Sequence, residues 1–170
     1  GLGASGRNAG FMITGLDTYH HRAVEMYGAD VAREMWQISR QTHAFWHEVI
    51  DRSQGAVQID RCGSMLLAET PEEARELELA ARAMEADGFE FTYHSSDPLG
   101  RGYYAAIEKP YDAAVQSYQL VKATLEQSGA SVIANDEVYA IEQLGPEQVL
   151  VTTHKHRITA RKVLLCTNAY

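Results

Sequence analysis

The pattern of apolar and polar positions divides the chain into segments of two periods. From about Thr18 to Arg52 polar and apolar residues mix without strand-like alternation, and the run is broken only at Gly28. Met35, Ile38, Thr42, Phe45 and Val49 recur at spacings of three and four, which predicts a helix with one buried stripe, and Asp30 is placed to cap it. Two helices meeting near Gly28 are expected, closed by Ser53-Gln54-Gly55. Val57 to Leu67 reads as a strand, or as a broken pair with Cys62-Gly63 at the weak point. Thr70-Pro71-Glu72-Glu73 is the sharpest helix start in the chain. Thr70 supplies the N-cap, Pro71 sits where a missing N–H costs nothing, and Glu73 reaches back to complete a capping box. The helix runs through Leu77, Ala80, Ala81 and Met84 to Asp87-Gly88, where glycine suits the left-handed terminal position.

Beyond it, Phe89 to Tyr93 reads as a short strand and Ser95 to Gly102 as a loop leading into the apolar stretch Tyr103 to Ile107. A helix is expected from about Ser117 to Gln127, then a short strand over Ser131 to Ala134. Val138 to Leu144, Gln148 to Thr153 and Arg157 to Ala160 read as a three-stranded meander turning at Gly145-Pro146 and near Lys155. Lys162 to Cys166 is a continuous apolar run, as expected of a strand buried on both faces. The fold class is therefore α+β (mixed α/β): N-terminal helices, a mixed β-sheet with helix crossovers, and a meander.

Composition narrows the classes. With 170 residues the prior is one domain, and 45% hydrophobic against 22% charged residues is the balance of a chain that folds. Lys and Arg number 15 against 23 Asp and Glu, a formal net charge of -8, so no overall field draws the chain to nucleic acid or anionic lipid. Cys62 and Cys166 lie far apart and outside any C-x-x-C spacing, which fits a reducing compartment. No run approaches a membrane span or a signal peptide, and a cytoplasmic protein is expected. The chain opens at Gly1 inside a glycine-rich stretch and stops just after an apolar run, so a segment of a longer protein is expected, with self-association through exposed apolar surface.

The opening Gly3-Ala-Ser-Gly-Arg-Asn-Ala-Gly10 lets backbone amides approach a ligand closely, and Arg7 offers a planar fork of donors suited to an anion. Gly1-Leu-Gly3-Ala-Ser-Gly6 matches G-x-G-x-x-G literally but follows no strand, so it reads as a chance match. Instead, Gly3 to Gly10 resembles the Gly-Ala-Ser-Gly-Arg-Asn-Gly-Gly element of FAD-dependent oxidoreductases of the D-amino-acid oxidase, glycine oxidase and sarcosine oxidase type. Ile158-Thr-Ala-Arg-Lys-Val-Leu-Leu-Cys-Thr-Asn-Ala-Tyr170 is similar to that family's "G-x-I-x-A-x-x-V-V-x-A-T-N-A-Y" segment. Gly129 to Val138 with Ile141 is similar to its "G-A-x-I-x-x-x-x-x-V-x-x-I". Ala9 stands where glycine is commoner and Cys166 where alanine is commoner, both small replacements.

The resemblance implies a part of a two-domain flavin-binding fold. Residues 1–16 would be a flavin-contacting element, 17–110 part of a substrate-binding domain with flanking helices, and 111–170 part of the FAD domain. Ser5, Gly6, Arg7 and Asn8 would lie along FAD, Val138 where the backbone meets the adenine, and Thr167 and Asn168 in the ligand crevice of an open α/β sheet. The intact parent would oxidise the C–N bond of an amino acid or secondary amine, with FAD as cofactor and a small molecule as its partner, and the chain by itself would be inactive. The alternative is a non-catalytic α+β ligand-binding or assembly module whose glycine-rich start is an anion nest.

Several other groups read as structural. His43 and His47, four apart on a helix, can share a metal on one face, but with no further ligands nearby they are expected to be solvated or cap-bonded. His20-His21 and the His154/His156 pair are expected at the surface. Glu72, Glu73, Glu76 and Glu78 suit the first turns of a helix, and Trp36 and Trp46 suit core or inter-helix packing.

Overall fold

The computed structural model describes residues 3–167. It falls into two compact units, Gly1–Ser128 and Gly129–Tyr170, each treated by itself below. In the first unit a 3₁₀ turn at Ala4–Gly6 leads to β1 (Phe11–Met12), α1 (His20–Tyr27), α2 (Ala29–Arg52), β2 (Ile59–Asp60), β3 (Ser64–Ala68), α3 (Pro71–Ala86), β4 (Thr92–His94), β5 (Ala105–Lys109), β6 (Ala113–Val115) and α4 (Ser117–Ser128). The second unit is the meander β7 (Val138–Gly145), β8 (Gln148–Thr153) and β9 (Arg157–Ala160). The strands form three small sheets, β1-β6-β2, β3-β5-β4 and β7-β8-β9, and every pairing is antiparallel. An α+β class is what results, with the sheet divided into three pieces.

α3 forms as its sequence dictates. The Thr70 hydroxyl accepts the Glu73 backbone N–H at 3.1 Å, and the Glu73 carboxylate accepts the Thr70 N–H at 3.2 Å. Its inner face, Leu77, Ala80, Ala81 and Met84, packs with Trp36 onto Ala68, Ala105 and Ile107 of the β3-β5-β4 sheet. A second cluster joins Val49 and Ile50 of α2 to Met12, Ala113, Leu120 and Ala123. α2 serves both clusters because the 13 positions from Trp36 to Val49 carry it about 20 Å at the rise of an α-helix.

Two features of α1 and α2 differ from expectation. The buried positions of α2 are Ala32, Trp36, His43, Val49 and Ile50, whereas Ile38 and Phe45 are 54% and 49% exposed. The stripe through Trp36 wins over the stripe through Ile38 because the indole stacks on Phe89, with ring centroids 4.6 Å apart and 9° between planes. His20 is not a surface residue: its side chain is wholly buried, with Nε2 2.7 Å from the Asp87 carboxylate, which also accepts from Arg33 Nε at 2.8 Å. Burial pushes the Asp87 carboxyl up, but the hydrogen bonds from His20 and Arg33 outweigh it and hold the group below the usual range.

The link between the two sheets of the first unit is a buried polar knot. Asp112, with no exposed side-chain surface, accepts the Thr14 backbone N–H at 2.9 Å and the Ser64 hydroxyl at 2.6 Å, and pairs with Lys109 at 3.2 Å. Lys109 Nζ also donates to the Thr14 carbonyl at 2.5 Å. The segment following β1 is thereby clamped to the β5–β6 turn.

In the second unit, β7, β8 and β9 occupy the expected ranges, with Val151 of β8 between Ile141 and Ile158. Two expected strands do not form. Residues 131–134 and 162–166 have no strand structure, and Val132, Ile133, Leu164 and Leu165 are 59%, 51%, 86% and 68% exposed. A strand exists only where a ladder partner satisfies its backbone, and none of the described residues pairs with either run.

Candidate functional site

The glycine-rich element is shaped by its own side chains. Asn8 Nδ2 donates to the Ser5 and Ala4 carbonyls at 2.9 and 3.2 Å, while its Oδ1 accepts the Gly10 N–H at 2.9 Å and the Ser117 hydroxyl at 2.7 Å. Asn8 thus ties the 3₁₀ turn to the first residue of α4. Gly10, at φ +76°, has its own constraint: a Cβ there would lie 2.1 Å from the Val115 carbonyl oxygen, which accepts no side chain at that distance. The last glycine of the motif is required by β1–β6 packing, whatever the loop binds.

Between this element and the helices α2 and α4 lies a cavity of about 550 Å³, with Ser5, Asn8, Ser39, His43, Trp46 and Ser117 among its lining residues. That is the size range of small-molecule sites. His43 is its distinctive group. It is 6% exposed, and its Nδ1 is buried without a hydrogen-bond partner. Burial lowers the pKa of the imidazole, partly offset by the negative charge of Asp112 and by the Ile13 backbone, so the neutral ring is favoured.

The sequence-predicted residues fall in different places. Ser5 and Asn8 line the cavity. Gly6, half-buried, and Arg7, exposed, adjoin them in the same turn. Val138 opens β7 in the second unit, 47% exposed and opposite Thr153. Thr167 is exposed and follows an irregular segment rather than the carboxyl end of a buried strand. Asn168 lies outside the described residues.

His43, like His20, lies deeper than sequence reasoning placed it, since a solvated or cap-bonded histidine was expected. A signal was present: Ala32, Trp36, Ser39, His43, Trp46 and Ile50 recur at spacings of three and four, which puts His43 on the stripe of the two tryptophans. Chemically, the cavity offers serine hydroxyls from Ser5 and Ser39 against the Trp46 indole, with the neutral His43 ring behind them.

Comparison with known proteins gives the fold its relatives. The chain resembles the glycine oxidase from Geobacillus kaustophilus (TM-score 0.71, 18% identity, covering 94% of this chain and 44% of that one). It also resembles the glycine oxidase from Bacillus cereus (TM-score 0.62, 20% identity, 94% and 43%). A third likeness is to the FAD-bound, dithionite-reduced L-alpha-glycerophosphate oxidase from Mycoplasma pneumoniae (TM-score 0.56, 16% identity, 91% and 41%). The chain spans less than half the length of each. No curated protein matches it in sequence. Residues 1–170 match the family described as DAO, FAD dependent oxidoreductase, and over that whole length the chain belongs to it.

Proposed function

We propose that the chain forms part of an enzyme that oxidises the C–N bond of an amino acid or secondary amine, and that the cavity behind the glycine-rich element is where it meets FAD. The observation that carries this reading is the cavity bordered by Ser5 and Asn8 of the glycine-rich element, in a chain that matches the FAD-dependent oxidoreductase family over residues 1–170. Bound FAD would act as the acceptor of a hydride from the carbon bearing the amine nitrogen.

The residues of this chain bind and orient. Ser5 would offer its hydroxyl and Arg7 its guanidinium to FAD, Gly6 would allow close approach of the turn, whose Gly6 and Arg7 amides already bond to Gly3 and Ala4, and Asn8 would hold the turn in shape, since its amide is used within the loop. Val138, Thr167 and Asn168 would be further cofactor-binding residues, as the resemblance of their segments to those of the family implies. Residues 17–110 build substrate-domain structure, flanked by the flavin-contacting residues 1–16 and the FAD-domain residues 111–170.

The test is spectroscopic. Anaerobic addition of amino acids and of primary and secondary amines to the FAD-loaded full-length enzyme is expected to bleach its flavin absorbance with at least one of them. Absence of bleaching with all of them rejects the amine-oxidising reading. The 170-residue chain alone is expected to bind FAD weakly or not at all, because among the described residues no glycine-rich turn joins a strand to a helix N-terminus: β3 enters α3 through Glu69-Thr70, and β6 enters α4 through Gln116. Tight binding in a titration followed by flavin fluorescence contradicts that account of where affinity resides.

A further inference from the structure

The side-chain amide of Asn8 uses its full hydrogen-bonding capacity, two bonds given and two accepted. Three of its partners, Ala4, Ser5 and Gly10, lie within four positions of it, whereas Ser117 lies 109 positions away at the start of α4. Ser117 is therefore where this side chain is fixed to the body of the first unit rather than to its own loop. Two hydrogen bonds in series, 2.7 Å from Ser117 to Asn8 and 2.9 Å from Asn8 to the Ser5 carbonyl, connect α4 to a residue that borders the cavity.

The helix that Ser117 begins does not need its hydroxyl. Gln116 serves that end instead: its Oε1 accepts the Gln119 N–H at 3.1 Å, and its carbonyl accepts the Leu120 N–H at 3.0 Å. Ser117 Oγ turns toward Asn8, with the Asn8 carbonyl oxygen as a second, longer contact at 3.4 Å. The Gly10 N–H must meet Oδ1 and two carbonyls must meet Nδ2, so the Ser117 hydroxyl is the donor and the amide has one satisfied orientation. Ser117 is buried, and a buried hydroxyl directed at a loop amide holds the loop.

From this arrangement we infer that Ser117 is a positioning residue for the cofactor: it fixes the Asn8 amide, and through it the turn that carries Ser5 and Arg7, before FAD binds. The inference rests on the flavin reading above. A turn ordered in advance loses less freedom on binding, so affinity depends on the residue that orders it. Ser117 also lines the cavity, and the experiment therefore separates action through Asn8 from direct contact.

Titration of the full-length apoenzyme with FAD, followed by flavin fluorescence, tests it. Ser117→Ala is expected to weaken FAD binding about tenfold with the urea midpoint of the first unit unchanged, and Ser117→Thr to restore it to within about twofold of the wild type. Asn8→Ala is expected to weaken binding at least as much, and Ser117→Ala to add nothing in that background, since the hydroxyl acts through the amide. In the FAD-free 170-residue chain, exchange of the Gly10 amide, which bonds to Asn8 Oδ1, is expected to be several-fold faster in Ser117→Ala. Absence of FAD binding by the wild type rejects the flavin reading and this inference with it. With wild-type binding intact, unchanged affinity in Ser117→Ala, no recovery in Ser117→Thr, losses that multiply in the double variant, or unchanged Gly10 exchange each overturns this inference alone.

Discussion

The imidazole of His43 is kept neutral by its surroundings, and this has a consequence for stability. Burial favours the uncharged ring, with the Asp112 charge opposing only in part, so the folded-state pKa lies below the ordinary 6.5. As pH falls below that value the unfolded chain takes up a proton that the folded one resists, and the contribution present above it is lost as pH falls through the folded value. A proton NMR titration is expected to give His43 a midpoint below 6.5, with the stability of the first unit declining over the same range. In His43→Phe that pH dependence is expected to weaken. Asp112 is the other residue on which the unit depends. Asp112→Ala leaves Lys109 buried without its carboxylate and frees the Thr14 N–H and the Ser64 hydroxyl, which is expected to cost about 3–5 kcal/mol in urea unfolding of the first unit. Neither role can be read from one residue's neighbours in the chain, because Thr14 and Asp112 are 98 positions apart.

Among the elements, α3 was the most legible, since a cap, a first-turn proline and a reciprocal glutamate are local signals that act within one turn. Thr70→Ala is expected to destabilise the first unit by about 1 kcal/mol, and Thr70→Gly by only a few tenths, as measured by urea denaturation. The meander was legible for a similar reason, with its strands delimited by turns close in sequence. Its β8–β9 turn is tied by Asp136, whose carboxylate accepts from the Thr153 hydroxyl at 2.7 Å and the Lys155 N–H at 3.2 Å, with His156 Nδ1 at 2.6 Å. The bonds from Thr153 and His156 hold its pKa below the ordinary 3.8, so the tie is complete above that value and lost as pH falls through the lowered one. Protection of the Lys155 amide against hydrogen exchange is expected to persist at pH 3.8 and to be lost only as pH falls further, and to be absent throughout in Asp136→Ala. By contrast, α2 offered two stripes of helical period, and its local sequence did not choose between them. The choice came from Phe89 stacking on Trp36.

For the molecule as a whole, the apolar surface left uncovered is informative. Leu164 and Leu165, 86% and 68% exposed, stand side by side in an irregular segment. Contiguous apolar exposure of this kind drives association, and the chain is expected to self-associate at micromolar concentration in sedimentation velocity. A Leu164→Lys, Leu165→Lys double variant is expected to shift it toward monomer, and an unchanged distribution places the contact elsewhere. Among the described residues no helix is long and apolar enough to cross a membrane.

The sequence by itself determined what local signals can determine: the helix ends, the turns, the meander, and a glycine-rich element whose motif points to FAD. It did so because caps, prolines and glycines act within a few residues, and because a motif records the backbone freedom that a ligand or a close neighbour demands. Only the tertiary structure decided what depends on partners far along the chain. It buried His20 against Asp87 and His43 beside the cavity, spent Asn8 on the loop's own shape, and assigned Gly10 to a contact with Val115. It also left residues 162–166 without a ladder, since apolar character makes a run suitable for a strand, whereas only a paired backbone makes it one.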